Sequence, residues 1–331
     1  MAISMKDIAK EAGVSVITVS RALNNKPDIS IDTKNQILTI ANSLHYTPNH
    51  LAKSLVTRKT KTIGILIPDN VDPFYAAVVQ GIGDECRERE YGIFLWNTHD
   101  NPDTELEYLR RAREKRADGI LIYPVQADDR YLEEISHSPV PIVFLNRHPE
   151  SSEYDYIIND NIYGAFSAVN HLIHRGHRKI TYICPKATAS SVKERISGCK
   201  KAIRENGLPS TALNVVTCEE KIGTCYKVVK EIVCSENRPT ALFIWDDRLA
   251  IGAMNAIFEA GLKIPSDIAI VGYDDIEISA YLYPSLTTVK QPTHQIGETA
   301  AKILLDKLES ETNGDLKQII LKPELIVRNT T

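Results

Sequence analysis

Apolar positions recur through the first 45 residues at spacings of three and four, the repeat of a helix that buries one face. Met5, Ile8, Ala9 and Ala12 make one such stripe, and Gly13 can supply the left-handed backbone that ends it. Ser15 stands where an N-cap belongs for a second helix, Val16 to Leu23 or Asn24, with Val14 and Val19 suited to hold the two together. Pro27 interrupts the pattern. Ser30 then caps a third helix from Ile31 to Leu44, with Ile37, Ile40, Ala41 and Leu44 inward. Three helices in so short a stretch give a marginal core, the scale of a small separate head.

From Thr62 the period changes. Continuous apolar runs, TIGILIP (62–68), YGIFLWN (91–97), DGILIYP (118–124), PIVFLN (141–146), KITYIC (179–184), ALFIWD (241–246) and IAIVGYD (268–274), alternate with stretches of helical composition. Strands apolar on both faces and separated by helices predict parallel sheets covered on both sides, an α/β fold. Roughly 270 residues of this pattern exceed one small sheet, so two lobes are expected, with ligands at the C-terminal ends of the strands. Three regions follow: a helix-turn-helix head (1–47), a linker with helix-forming composition from Asn49 to Leu55 (48–61), and a two-lobed body (62–331).

Charge sharpens the division. The 331 residues carry 39 Lys/Arg and 43 Asp/Glu. Eight of the bases and four of the acids fall in residues 1–60, making that segment +4 and leaving 31 bases against 39 acids, or −8, for the rest. A basic head on an acidic body fits a phosphate-binding module attached to a domain that does not touch nucleic acid. No run approaches the roughly 18 apolar residues of a membrane span, and the charged N-terminus lacks a secretory h-region, so a cytoplasmic location is expected. Cys86, Cys184, Cys199, Cys218, Cys225 and Cys234 form no C-x-x-C pair, and reduced structural thiols are expected rather than disulfides or zinc.

At MKDIAKEAGVSVITVSRALNN (5–25) the sequence resembles the LacI/GalR family of bacterial transcription regulators. The resemblance continues through IDTKNQILTIANSLHYTPNHLAKSL (31–55) and TKTIGILIPD (60–69). It resumes at HLIHRGHRKI (171–180), ERISGCKKAI (194–203), FIWDDRLAIGAMNAI (243–257), IAIVGYDD (268–275) and LTTVKQP (286–292). It thus spans nearly the whole chain, and implies a body like the periplasmic binding proteins.

The resemblance lays the second helix in the major groove and puts Val16, Ile17 and Arg21 on its reading surface. Arg21 is suited to a bidentate contact with guanine, and the apolar pair to thymine methyls; the alternative for Val16 and Ile17 is internal packing. Ser15, Thr18, Ser20 and Asn24 are short polar side chains suited to phosphates. The segment PNHLAKSL is similar to a hinge helix that folds when two subunits meet on DNA, with Leu55 as a minor-groove wedge and Asn49, Ala52 and Lys53 facing the groove or phosphates. The alternative is a passive tether.

For the body the resemblance implies an effector cleft lined by Phe74, Arg147, Asp160, Arg195, Trp245, Asp246, Asp274 and Gln291. Asp and Arg can grip vicinal hydroxyls in pairs, while aromatic faces stack on sugar C–H patches. The expected partners are a pseudo-palindromic double-stranded operator, a small-molecule effector of sugar type and a second copy of the chain. A dimer or a dimer of dimers serves such a site, and repression relieved by the effector is the expected sign. A catabolite-control regulator, answering to a phosphorylated carrier protein, is the alternative. No catalysis, cofactor or metal is expected. Asp246-Asp247 and Asp274-Asp275 are neighbours whose side chains should point apart rather than pair, and His171, His174 and His177 lack a convergent carboxylate.

Overall fold

The structure, a computed structural model, describes residues 3–46, 59–125, 129–136, 138–148, 153–186, 189–310 and 315–331, with the side chains of 129–132 left aside. Contacts divide the chain into two compact units, Met1–Thr60 and Lys61–Thr331.

The first unit contains α1 (Met5–Ala12), α2 (Val16–Leu23) and α3 (Ile31–Ser43). Ser4 and Asp7 form a capping box at the start of α1, and Gly13, at φ 66°, ends it in the left-handed conformation. The Ser15 hydroxyl accepts from the Thr18 amide at 3.1 Å, and Ser30 accepts from Thr33 at 3.2 Å, so the two expected caps are in place. Ile8, Val19 and Ile37 are fully buried at the centre of the three helices, with Val14, Ile40 and Leu44 packed around them.

The second unit is built on two six-stranded sheets. The first lobe gathers β1 (Thr62–Ile67), α4 (Pro73–Glu88), β2 (Gly92–Asn97), α5 (Pro102–Glu114), β3 (Gly119–Ile122), α6 (Asp129–Ser136), β4 (Ile142–Leu145) and β5 (Asp155–Asn159). The second gathers α7 (Asn161–His174), β6 (Ile180–Cys184), α8 (Ser190–Glu205), β7 (Leu213–Thr217), α9 (Ile222–Cys234), β8 (Ala241–Ile244), α10 (Asp247–Glu259), β9 (Ala269–Asp274) and β10 (Thr287–Lys290). The chain then returns to the first lobe with α11 (Thr293–Glu309) and β11 (Gln318–Leu321), and finishes in the second with β12 (Glu324–Ile326). The strand orders are β11-β5-β4-β3-β1-β2 and β12-β10-β9-β8-β6-β7. The pairing is parallel throughout except between β10 and β12.

Burial explains which strands were readable. β3, β4, β6 and β8 are buried at every residue, the condition that produces an unbroken apolar run. β2 is an edge strand and remains half exposed despite its apolar sequence. β5 and β7, as DYIIN and LNVVT, mix polar with apolar residues and give no comparable signal. Helix packing is set partly by glycine: a Cβ on Gly297 of α11 would lie 2.0 Å from the Val78 carbonyl oxygen of α4. A Cβ on Gly81 would likewise lie 2.1 Å from the His294 carbonyl, so the two helices meet backbone to backbone.

Candidate functional site: a reading helix and an interlobe cleft

On α2 the side chains divide by angle. Val19 and Ala22 are buried, whereas Val16 is 38% and Ile17 68% exposed. Internal packing of Val16 and Ile17 is therefore not what the head does, because Val19 and the α1 and α3 residues already fill the centre. Arg21 projects from the same helix and pairs with Asp28, both side chains being about half exposed. So open an ion pair contributes little to stability and can be exchanged for another acceptor. Ser15 also contacts the Thr18 hydroxyl at 2.8 Å, and the Asn24 side-chain amide donates to the Ser20 carbonyl at 2.8 Å. Asp28 was not read from the sequence as part of this surface. Asn49, Ala52, Lys53 and Leu55 lie outside the described residues.

In the body, seven of the eight expected effector residues line one cleft between the lobes: Phe74, Arg147, Arg195, Trp245, Asp246, Asp274 and Gln291. The eighth, Asp160, does not. It is the N-cap of α7, its carboxylate accepting from the Tyr163 amide at 2.8 Å, so an acidic residue at a helix start is doing a cap's work. Four lining residues were missed, Asp72, Tyr75, Tyr123 and Glu220. Tyr75 follows Phe74 directly, and Asp72-Pro73 reads as a helix start, so both could have been found from the pattern. Tyr123 stands at the C-terminal end of the run DGILIYP, where ligands are expected, and could have been found as well; Glu220 offers no comparable signal. The cleft is nearly filled by its own side chains, with about 20 Å³ left free among them.

Arg195 organises the second-lobe side. Its Nε donates to the Asn161 side-chain oxygen at 3.0 Å and one terminal nitrogen to the Trp245 carbonyl at 2.7 Å. Its guanidinium lies 4.0 Å from the Trp245 ring centroid and 3.5 Å from that of Tyr273, a cation held against two aromatic rings. The Trp245 indole donates to Glu220 at 2.8 Å. Across the cleft Arg147 sits 4.7 Å from the Tyr123 centroid and donates to the Pro124 carbonyl at 3.3 Å. Gln291 joins the two sides, donating to Asp274 at 2.6 Å and accepting from Asn146 at 3.1 Å. Asp72 caps α4 through the Phe74 amide at 2.9 Å, and its second oxygen accepts from Arg248 at 2.5 Å.

The carboxyls crowd one another. Burial, and then the Glu220 charge, push Asp246 up to about 8. Asp274 is raised well above the carboxylate range by burial, against the pull of Arg195. Glu220, with its carboxyl turned into the cleft, is raised by desolvation in the same direction. The paired acids do point apart. Asp247 turns inward to the Ile276 amide (3.0 Å) and the Ser279 (2.7 Å) and Thr288 (2.6 Å) hydroxyls, while Asp275 accepts from Arg328 at 2.6 Å. His171, His174 and His177 bond to Thr331, Asn170 and Thr240 respectively, three separate places.

Residues 4–49 match the profile of the bacterial regulatory proteins of the lacI family, and residues 169–331 that of a periplasmic binding protein-like domain. The chain is 33% identical over 328 residues to the HTH-type transcriptional repressor PurR of Aliivibrio salmonicida (strain LFI1238), covering 99% of this chain and 98% of that one. Among solved structures it is similar to the lac repressor dimer bound to operator and the anti-inducer ONPF, with a TM-score of 0.90 at 25% identity, covering 100% of this chain and 99% of that one. It is also similar to a LacI family transcriptional regulator from Enterococcus faecium with bound ribose, with a TM-score of 0.73 at 28% identity over 82% of this chain and 98% of that one. With a capped helix-turn-helix head and a cleft lined from two parallel-sheet lobes, the chain belongs to the lacI family of bacterial regulatory proteins and is a DNA-binding transcription repressor controlled by a small-molecule effector.

Proposed function

We propose that this repressor is a cytoplasmic homodimer whose grip on a pseudo-palindromic operator is set by a sugar-sized, polyhydroxylated effector closed between the lobes. One observation carries the effector class. Hydrogen-bonding pairs and aromatic walls from both lobes, Arg147 and Phe74 on one side, Arg195, Trp245 and Asp274 on the other, converge on a single cleft. A polyol offers hydroxyls that both donate to carboxylates and accept from guanidinium groups, and apolar C–H faces for the rings. The relative with bound ribose supports this class.

The DNA-side assignments follow from the head. Val16 and Ile17 present methyl groups to thymine, Arg21 leaves Asp28 for a guanine edge, and Ser15, Thr18, Ser20 and Asn24 lie near phosphates. Asn49, Ala52, Lys53 and the Leu55 wedge serve the minor groove when two linkers fold together. Effector binding biases the angle between lobes and hence the spacing of the paired linkers, a coupling of two sites through a bistable element. Exposed apolar side chains at Phe94, Leu95, Ile278, Tyr281 and Tyr283 support subunit pairing.

The test is a thermal-shift screen of the full chain against neutral pentoses and hexoses, sugar phosphates and purines, followed by operator binding with each hit. A stabilising sugar that also changes operator affinity is expected. A purine or a phosphorylated carrier protein acting in its place would refute the sugar reading.

A further inference from the structure

Most charges in the cleft are matched, and the remainder fall on one wall. Arg248 of α10 donates to Asp72, Arg147 reaches Asp100 at 3.4 Å, and Arg195 is the cation acting most strongly on Asp274. Glu220 and Asp246 are left over. Arg147 acts on Glu220 and Arg248 on Asp246 through space without bonding to them, and Glu220 is the strongest like charge on Asp246. Glu220 accepts from the Trp245 indole, and Asp246 accepts from the Leu249 amide at 2.6 Å. Glu220 is thus bonded to the Trp245 ring nitrogen, and Asp246 follows Trp245 in the chain and lines the same cleft. A second observation points to a ligand in this cleft. Arg147 is only 5% exposed, lines the cleft, and its Nε has no hydrogen-bond partner.

We propose that the effector carries a protonated amine, held between Glu220 and Asp246 beside Trp245, on a frame whose hydroxyl oxygens meet Arg147. This rests on the sugar-sized reading of the cleft and adds a charge to it. An ammonium group supplies several donors to two carboxylates that otherwise repel. A metal ion fits the wall poorly. Among the described residues no three His, Cys, Asp or Glu side chains are grouped to hold one. Divalent cations that take oxygen ligands need more of them than two carboxylates provide.

The experiment is isothermal titration calorimetry on the full chain, just below neutral pH where the amines are charged. Its probes are D-glucosamine, D-galactosamine and D-mannosamine, their parent hexoses, their N-acetyl forms, and putrescine as a cation without a sugar frame. At least one free amino sugar should bind about tenfold or more tighter than its parent and its N-acetyl form. Glu220→Gln and Asp246→Asn should each erase that preference. Asparagine keeps the cap on α10, and glutamine keeps an oxygen to accept from the Trp245 indole, so both variants retain the fold, which their melting without ligand checks. Neutral sugars binding as tightly as the amines, or a preference that survives both substitutions, overturns the amine assignment while leaving a sugar effector in place. Putrescine binding that Glu220→Gln abolishes supports the charge and removes the sugar frame. Absence of binding by every amine overturns the proposal.

Discussion

Replacing Asp246 by asparagine isolates the cost of burying that carboxyl. The side chain is 6% exposed, caps α10 through the Leu249 amide, and is raised from an ordinary 3.8 to about 8 by desolvation and the neighbouring Glu220. The sign follows from the protons bound in each state. Between those two values the folded chain holds a proton that the unfolded chain has lost, so stability falls as pH rises, by about 1.4 kcal/mol per pH unit. Full integration gives on the order of 5 kcal/mol, and water entering the cleft brings the measurable cost to a few kcal/mol. Asparagine removes the ionisation and retains the capping acceptor, so Asp246→Asn should be the more stable protein at pH 8, with a gap that narrows toward pH 5. In a chain of this size each kcal/mol moves the melting temperature by about 2–4 °C or less, within reach of differential scanning fluorimetry at fixed protein concentration and without effector. A variant no more stable than the parent at pH 8, or a gap independent of pH, would refute the buried, like-charged environment assigned to Asp246.

Ile17→Glu should weaken operator binding by tenfold or more in gel-shift titrations, because an anion would face the phosphates. The head's melting should scarcely change, since Ile17 is 68% exposed; a lost fold with no separate DNA effect would put Ile17 in the core. Gly297→Ala should lower the melting temperature of the body by several degrees or prevent folding, since its Cβ would sit 2.0 Å from the Val78 carbonyl oxygen. Arg195→Lys should abolish effector-induced stabilisation, because a lysine cannot bond Asn161 and the Trp245 carbonyl together while stacking on two rings; an intact thermal shift would remove Arg195 from the site. Leu55→Ala should reduce operator affinity strongly and leave effector binding alone, as calorimetry with each ligand would report.

What was legible in the sequence follows from how local each signal is. The caps at Ser15 and Ser30 act within three residues, so a hydroxyl before an apolar stripe was enough to place α2 and α3. The buried strands announced themselves because both of their faces are covered, whereas β5, β7, β10, β11 and β12, short or carrying polar residues, passed unread. Asp160 shows the limit of the same locality: it caps α7 and is not among the residues lining the cleft, a placement that only the fold gives. Asp246 does both, since its cap bond to Leu249 fixes a carboxyl that also lines the cleft. Glu220 lies at the far limit of legibility. Nothing around it in CEEKIG marks it, and its meaning comes from the Trp245 indole, 25 residues away in sequence and just past the end of β8. The cleft's net charge is therefore a property of the assembled lobes. Glu220 and Asp246, each ordinary in its own segment, become a wall without a bonded cation only when the second lobe's sheet brings its C-terminal ends together.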